Sequence, residues 1–173
     1  MANARFSIAP AYYTGSEVTP EVTVTHSGKT LVKDRDFTVT YHNNIEPSSY
    51  YNSPWVGIDG IGNYQGYVTK SFTINRADIS SCTVTLSDES LTYTGSSLRP
   101  TATVKSGDKE LTLNQDYYVS YRNNWDAGTA SAILTGTGNY TGSVTKDFTI
   151  KPLDISRYSA SLSQYSYTSD GTE

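Results

Sequence analysis

The chain repeats itself, and this internal repeat constrains its fold more than any other feature of the sequence. Segments of the first half recur 80 positions later, and near the end of each copy the offset falls to 76. The matching segments are 13–16 with 93–96, Pro20 with Pro100, 37–44 with 117–124, and 60–66 with 136–142. The drop from 80 to 76 means that the first copy carries four extra residues between Asn44 and Gly57. Self-similarity at a fixed period predicts tandem structural units.

Each copy alternates apolar and polar residues with the period of two that is typical of strands with one buried face. Phe37, Val39 and Tyr41 alternate with threonines, and the same pattern recurs from Tyr117. Turn residues separate such runs, and no stretch has apolar residues at helical spacing over three turns. The sequence therefore predicts an all-β chain of small sandwich modules with antiparallel strands and almost no helix.

The offsets also predict the domain organisation. We assign residues 1–76 to repeat 1, 77–152 to repeat 2, and 153–173 to the start of a third repeat or a linker tail, with Tyr167-Thr168 opening the third copy. The junctions near Arg76 and Pro152 contain no run of Gly or Ser. Such linkers are stiffer than Gly/Ser-rich tethers, so we expect neighbouring repeats to pack end to end as a semi-rigid rod.

Charge, cysteine content and hydropathy exclude several classes of partner and structure. The net charge is −4 with no cluster of Lys and Arg, which argues against a nucleic-acid partner. Cys82 is the only cysteine and cannot form an internal disulfide. No apolar run approaches the roughly 20 residues of a membrane span, and the residues after Met1 lack the layout of a secretion signal. We expect Met1 to be a start residue added to an excised segment, with any signal and anchor outside it.

The ordered motifs Tyr-Thr-Gly, Asp-(Phe/Tyr)-x-Val-x-Tyr-x-Asn-Asn, Gly-x-Gly-Asn-Tyr-x-Gly and Phe-Thr-Ile occur in both repeats. This series resembles the bacterial immunoglobulin-like repeats of large Gram-positive surface proteins, especially those of gut Firmicutes and Actinobacteria. The resemblance covers nearly the whole chain. It implies immunoglobulin-like sandwich modules, an extracellular location at the bacterial cell surface or cell wall, and a role as stalk, adhesin module or spacer.

Catalytic and metal-binding chemistry has little basis in the sequence. His26 and His42 are the only imidazole bases, no nucleophile motif accompanies them, and repeat 2 has Arg122 where repeat 1 has His42. One Cys and two separated His residues do not make a zinc site. The aspartates near position 36 are better explained as turn formers than as calcium ligands. We predict no catalytic residue, no metal and no cofactor.

Lys70 lies between Val68 and Phe72, and Lys146 lies between Val144 and Phe148. By the period of two, each lysine is on the strand face that is otherwise apolar. One interpretation is an intramolecular Lys–Asn amide crosslink, a device that Gram-positive stalks use in place of disulfides. The other is an inward-leaning charge near a strand end that snorkels to water or blocks edge-to-edge pairing. Intact mass distinguishes them, because each crosslink loses one ammonia.

The extra residues of repeat 1 are rich in aromatic side chains. Tyr50, Tyr51, Pro54 and Trp55 lie within the inserted segment 45–56, and Tyr and Trp are the residues that dominate interface hot spots. Two prolines, Pro47 and Pro54, limit the conformations of the segment and so lower the entropic cost of binding. We predict these four residues as a partner-binding site. The alternative is structural: Trp55 replaces a core Trp125, and the tyrosines cover the end of the sandwich.

Three functions follow. The first is binding of a host or other protein, such as an immunoglobulin or a glycoprotein, through the aromatic insertion. The second is a purely structural stalk whose partners are the neighbouring repeats of the same chain. The third is a carbohydrate-binding accessory module of a secreted enzyme, because exposed Trp and Tyr also stack on sugar rings. All three are non-catalytic.

Overall fold

A computed structural model describes residues 4–163 and 165–166 of the chain. Tyr167 and Thr168, the predicted start of a third repeat, lie outside the described residues, as does Met1. Seventeen strands are the main regular structure of these described residues. They are β1 Ala4–Ile8, β2 Ala11–Tyr12, β3 Val22–His26, β4 Lys29–Thr30, β5 Phe37–His42, β6 Trp55–Gly60, β7 Tyr67–Ser71, β8 Ile74–Asn75, β9 Ala77–Asp78, β10 Thr83–Leu86, β11 Ser90–Thr92, β12 Ala102–Ser106, β13 Lys109–Glu110, β14 Tyr117–Arg122, β15 Gly128–Gly136, β16 Tyr140–Thr141 and β17 Ser143–Lys151.

The predicted all-β class with very little helix is confirmed. The helical residues of the described chain are two single 3-10 turns, Ile79–Ser81 and Ile155–Arg157, and neither is long or apolar enough to cross a bilayer. Strand pairing is mainly antiparallel. That the repeats are immunoglobulin-like sandwich modules stays a prediction.

The two repeats pair their strands in a similar way. In repeat 1 the sheets are β1-β3-β4 and β5-β6-β7, and in repeat 2 they are β10-β12-β13 and β11-β17-β15-β14. Strand β2 runs parallel to β8, and its counterpart β11 runs parallel to β17. In repeat 2 the chain therefore leaves one sheet after β10 and joins the edge of the other, whereas in repeat 1 β2 and β8 form a separate two-stranded sheet. The alternation of residue types did not predict these parallel pairs.

In each repeat, buried apolar side chains from different strands form a cluster. In repeat 1 the buried residues of β3 cluster with those of β5 and β6, which are Val22, Val24, Phe37, Val56 and Ile58. The inward positions of the predicted alternation, including Val39 and Tyr41, pack on this cluster. Sequence period and observed burial agree because one face of each antiparallel sheet is solvated.

The core does not stop at the boundary between the repeats. One buried cluster contains Ala11, Tyr13 and Ile74 of repeat 1 together with Ile79, Val104 and Tyr140 of repeat 2. Strand β9 pairs with β16 in parallel, which joins the linker segment to the Gly-x-Gly-Asn-Tyr loop of repeat 2. We call this contact region, formed by Tyr13, Glu46, 77–81, Lys109 and 139–142, the joint.

Candidate functional site

The residues that recur in both repeats form hydrogen bonds that hold the framework together. Tyr41 donates from its hydroxyl to the Pro20 carbonyl at 2.6 Å, and Tyr121 donates to Pro100 at the same distance. Burial raises the pKa of both phenols. Asn44 and Asn124 donate from their side-chain amides to the carbonyls of Val18 and Leu98. The shared Pro and Tyr-x-Asn-Asn motifs are therefore structural and do not mark a binding site.

Asp36 is another structural residue. Its Oδ2 accepts the Val32 backbone N–H at 2.8 Å and also meets the Arg35 guanidinium at 2.8 Å. The hydrogen bond from Arg35, followed by that from Val32, lowers the pKa of Asp36 to about 2. This carboxylate closes a turn, as the sequence interpretation held. No group of three or more His, Cys, Asp or Glu able to hold a metal ion occurs among residues 4–163 and 165–166.

The base of the repeat 1 insertion substitutes for a lost stretch of strand. In repeat 2, β15 begins at Gly128 and pairs with β17 as far as Ile150, whereas β6 begins only at Trp55. Ser48 makes the hydrogen bonds to Ile74 that this missing part of the strand would have made. Its backbone N–H donates to the Ile74 carbonyl at 2.9 Å, and its Oγ accepts the Ile74 N–H at 3.0 Å. The insertion is thereby attached to the sheet.

The tip of the insertion is a closed turn over residues 49–52. The Ser49 and Asn52 backbones bond to each other at 2.9 and 3.3 Å, which places Tyr50 and Tyr51 at the two central positions. The Asn52 side-chain amide faces the carbonyls of Glu46, Pro47 and Asn43 at 2.7, 3.3 and 3.4 Å. These bonds hold the turn in one conformation.

Tyr50 and Tyr51 extend from this turn into solvent. Their side chains are 95% and 94% exposed, and their rings meet edge to face with centroids 5.1 Å apart. Two aromatic rings held on a pinned turn supply contact area with little ordering cost, because each has only two side-chain torsions. We call these two residues the aromatic tip.

The structure separates the aromatic tip from the other two predicted site residues. Pro54 is fully buried, and its carbonyl accepts the Phe72 N–H at 3.0 Å. Trp55 is half-buried on the outer face of β6. Two of the four predicted residues are thus free to meet a partner in full, one only in part, and Pro54 contributes to the framework.

The structural alternative for the insertion is wrong in both of its parts. Trp125 is 57% exposed and is not a core residue, so Trp55 does not replace it. By strand register Trp55 corresponds to Ser131, because both pair with the last residue of the preceding strand. The tyrosines do not cover the end of the repeat, since both face solvent.

An aromatic group on the outer face of β5-β6-β7 is a feature that the sequence interpretation missed. The His42 and Trp55 rings stack with centroids 3.9 Å apart and an angle of 11° between their planes. Two residues after Trp55 on the same face of β6, Gly57 lies beneath the Tyr67 side chain. A Cβ at Gly57 would collide with the Tyr67 hydroxyl. We call His42, Trp55 and Tyr67 the face aromatics. Comparison of the repeats could have revealed them, since their repeat 2 counterparts are Arg122, Ser131 and Ser143.

Both lysines of the crosslink hypothesis are exposed. Lys70 turns away from the core and places its Nζ 5.3 Å from the centre of the Phe6 ring, beside a groove of about 550 Å³ that Phe6, Pro10 and Phe72 help to line. The cation thus lies over an aromatic face at a strand edge. This placement matches the snorkelling interpretation of Lys70.

The two histidines lie in different environments. His26 is half-buried and meets the Tyr64 ring edge to face at 6.2 Å, whereas His42 is exposed and stacked on Trp55. Of the two histidines, only His42 is thus exposed to solvent.

No protein-family model matches the chain, and no curated protein or solved structure matches it either. The resemblance to bacterial immunoglobulin-like repeats therefore rests on the ordered motifs of the two repeats alone.

Proposed function

We propose that this chain is a non-catalytic extracellular module of a bacterial surface protein and that repeat 1 binds a host or other protein through its aromatic tip. The observation that carries the proposal is the exposure of Tyr50 and Tyr51 on a turn that Ser49 and Asn52 hold closed. Large side chains that form a contiguous exposed patch often mark a protein-binding site, and the two rings of the aromatic tip are in contact with each other.

The energetics favour a protein partner. Anchors that enter a pocket on a partner protein are commonly Tyr or Trp, and their truncation costs about 2 kcal/mol or more of binding free energy. The Asn52 bonds keep the aromatic tip ordered before binding, so less of that energy is lost to ordering. Repeat 2 has no counterpart of this tip, since its segment between Asn124 and Ala130 is four residues shorter. Binding should therefore depend on repeat 1.

The test is binding of immobilised protein to purified serum immunoglobulin and to mucin, measured by surface plasmon resonance. The double substitution Tyr50→Ser, Tyr51→Ser should lower affinity at least about thirtyfold, which corresponds to about 2 kcal/mol. Tyr118→Ser is the matched control, because Tyr118 is an exposed tyrosine in repeat 2. Equal affinity of the double variant and the wild-type protein would contradict the proposal, as would no binding to either probe.

A purely structural stalk is the second candidate, and the joint favours it. A buried core that continues from repeat 1 into repeat 2 supports a spacer role, because such a core stiffens the chain. The two roles are compatible, because a stiff chain can display a binding turn.

Carbohydrate binding is the third candidate, and the face aromatics are the observation that favours it. The exposed Tyr67 ring and the His42–Trp55 stack offer flat surfaces to a sugar ring. A glycan array probed with wild-type protein and with Trp55→Ala tests this candidate. Signals that the substitution leaves unchanged would reject it.

A further inference from the structure

The insertion of repeat 1 is connected to repeat 2 as well as to its own sheet. The Asn139 side-chain amide donates to the Glu46 carboxylate at 2.7 Å, although the two residues are 93 positions apart in the sequence. Glu46 belongs to the inserted segment 45–56, and Asn139 belongs to the Gly-x-Gly-Asn-Tyr loop of repeat 2. A hydrogen bond to an ionised carboxylate is about twice as strong as one between neutral groups. This bond therefore ties the insertion to the neighbouring repeat.

Asn139 is itself held in place by the joint. Its backbone carbonyl accepts the Ala77 N–H of the linker segment at 3.0 Å. The next residue, Tyr140, is buried, and its ring meets the Tyr13 ring edge to face with centroids 5.7 Å apart. Because the backbone and the neighbouring ring are fixed, Asn139 presents its amide to Glu46 from a rigid position.

Glu46 also takes part in the hydrogen bonds that close the turn of the aromatic tip. Its backbone carbonyl accepts the Asn52 side-chain amide at 2.7 Å. The Asn52 backbone bonds to Ser49 in both directions and so closes the turn that carries Tyr50 and Tyr51. Glu46 therefore joins repeat 2, through its carboxylate, to the aromatic tip, through its carbonyl.

A second connection runs from the base of the insertion into the shared core. Ser48, two residues after Glu46, bonds to Ile74 through both its backbone N–H and its Oγ. Ile74 is wholly buried and lies in the cluster that also contains Ile79 and Tyr140 of repeat 2. Both anchors of the insertion, at Glu46 and at Ser48, therefore lead to residues of the interface between the repeats.

We infer that repeat 2 positions the aromatic tip of repeat 1 and that Asn139 is the positioning residue. Asn139 acts through Glu46, which in turn holds Asn52, and the turn is thereby ordered before a partner arrives. A loop that is ordered in advance loses less free energy on binding. The consequence for binding rests on the proposed function, whereas the coupling between the repeats does not. The two rings still supply most of the affinity, so binding follows the insertion and Asn139 adjusts its strength.

Limited digestion of the whole chain with chymotrypsin measures this coupling without any partner. Asn139→Ala should speed cleavage after Tyr50 or Tyr51 at least about threefold, because the turn opens more often once Glu46 is released. Asn63→Ala is the matched control, since Asn63 has the same place in the Gly-x-Gly-Asn-Tyr loop of repeat 1, and it should leave the rate unchanged. Mass spectrometry of the fragments assigns each cut.

A set of substitutions separates the loss of this bond from a general loss of stability. Glu46→Ala should speed cleavage as Asn139→Ala does, and the double variant should be cut no faster than the faster single variant. Glu46→Gln keeps an oxygen that accepts from the Asn139 amide and should be cut at nearly the wild-type rate. Urea unfolding should give similar midpoints for all of these variants, because the bond is exposed. Glu46→Ala replaces Asn139→Ala if that variant is less stable.

Binding measurements separate this inference from the proposed function. Surface plasmon resonance with the immunoglobulin or mucin probe should show about threefold weaker binding for Asn139→Ala, a smaller loss than that of the double tyrosine variant. Faster cleavage of Asn139→Ala in a protein that binds neither probe would support the coupling and reject the proposed function. Cleavage of Asn139→Ala at the wild-type rate, or equally fast cleavage of Asn63→Ala, would overturn the coupling. Unchanged affinity of Asn139→Ala for a probe that the wild-type protein binds would overturn it as well.

Discussion

Repeats 1 and 2 are built on one framework and differ in what they expose. The bonds from Tyr41 to Pro20 and from Tyr121 to Pro100 have the same length, and the paired asparagines close the same loop in both repeats. After Asn44 the copies diverge, because repeat 1 has four extra residues and displays the aromatic tip. Recurrence within a chain therefore identifies structural residues, and the departures from recurrence identify the candidate site.

The joint gives the sharpest contrast between equivalent positions. Ile79→Ala should lower the free energy of unfolding by about 3 kcal/mol, because it opens a cavity in the core that the repeats share. Ile155→Ala, the same change at the exposed counterpart, should change it by less than about 0.5 kcal/mol. Urea unfolding measured by circular dichroism gives both values. Similar losses at the two positions would mean that the joint is not a buried interface.

The framework should respond alike in both repeats. Tyr41→Phe and Tyr121→Phe each remove a 2.6 Å hydrogen bond to a proline carbonyl, and each should cost about 1 to 2 kcal/mol. Urea unfolding of the two single variants measures this pair. Loss at one position without loss at the other would show that the shared motif has different roles in the two repeats.

Asn52 should control the order of the insertion more than the stability of the fold. Asn52→Ala removes the side-chain bonds that hold the turn and should cost about 1 kcal/mol or less, since the site is at the surface. Chymotrypsin should cut after Tyr50 or Tyr51 several times faster in this variant, because the turn opens more often. Ser53→Ala is the control from the same segment. An unchanged rate of cleavage would show that other contacts pin the tip.

The smallest predicted effect concerns pH and distinguishes the turns at Asp36 and Asp116. The folded-state pKa of Asp36 is about 2, below the ordinary value of about 3.9, so its ionised form stabilises repeat 1 above pH 4. This contribution is lost as the pH falls from about 4 to 2. Repeat 2 has Gln115 where repeat 1 has Arg35, so Arg35→Gln should raise the pKa of Asp36. An NMR titration of the Asp36 carboxyl carbon measures the change, and an unshifted titration would contradict it.

Local periodicity predicted the all-β class and the positions of several strands. Alternation located the strands near Phe37 and Tyr117, and the glycine and asparagine turns lie where the motifs placed them. Contacts between segments distant in sequence were not predictable in this way. The parallel pairing of β2 with β8 depends on where the chain crosses between sheets, and the burial of Ile79 depends on the neighbouring repeat.

The candidate site was predictable only in part, for the same reason. The insertion was visible as a change of offset, which identified Tyr50 and Tyr51. Burial of Pro54 and stacking of Trp55 on His42 follow from strand register across the sheet, which the insertion itself obscures. The period of two placed Lys70 on an apolar strand face, yet its long side chain bends out over the Phe6 ring.

Transplanting the insertion tests the central claim most directly. Residues 45–53 replace 125–129 in repeat 2, and 125–129 replace 45–53 in repeat 1, so the two repeats exchange their loops within one chain. Binding to the immunoglobulin or mucin probe is then measured with and without serine at the two transplanted tyrosines. The account predicts that affinity moves with the insertion and is lost with those serines. Binding that stays with repeat 1 after its loop has been removed would contradict the account.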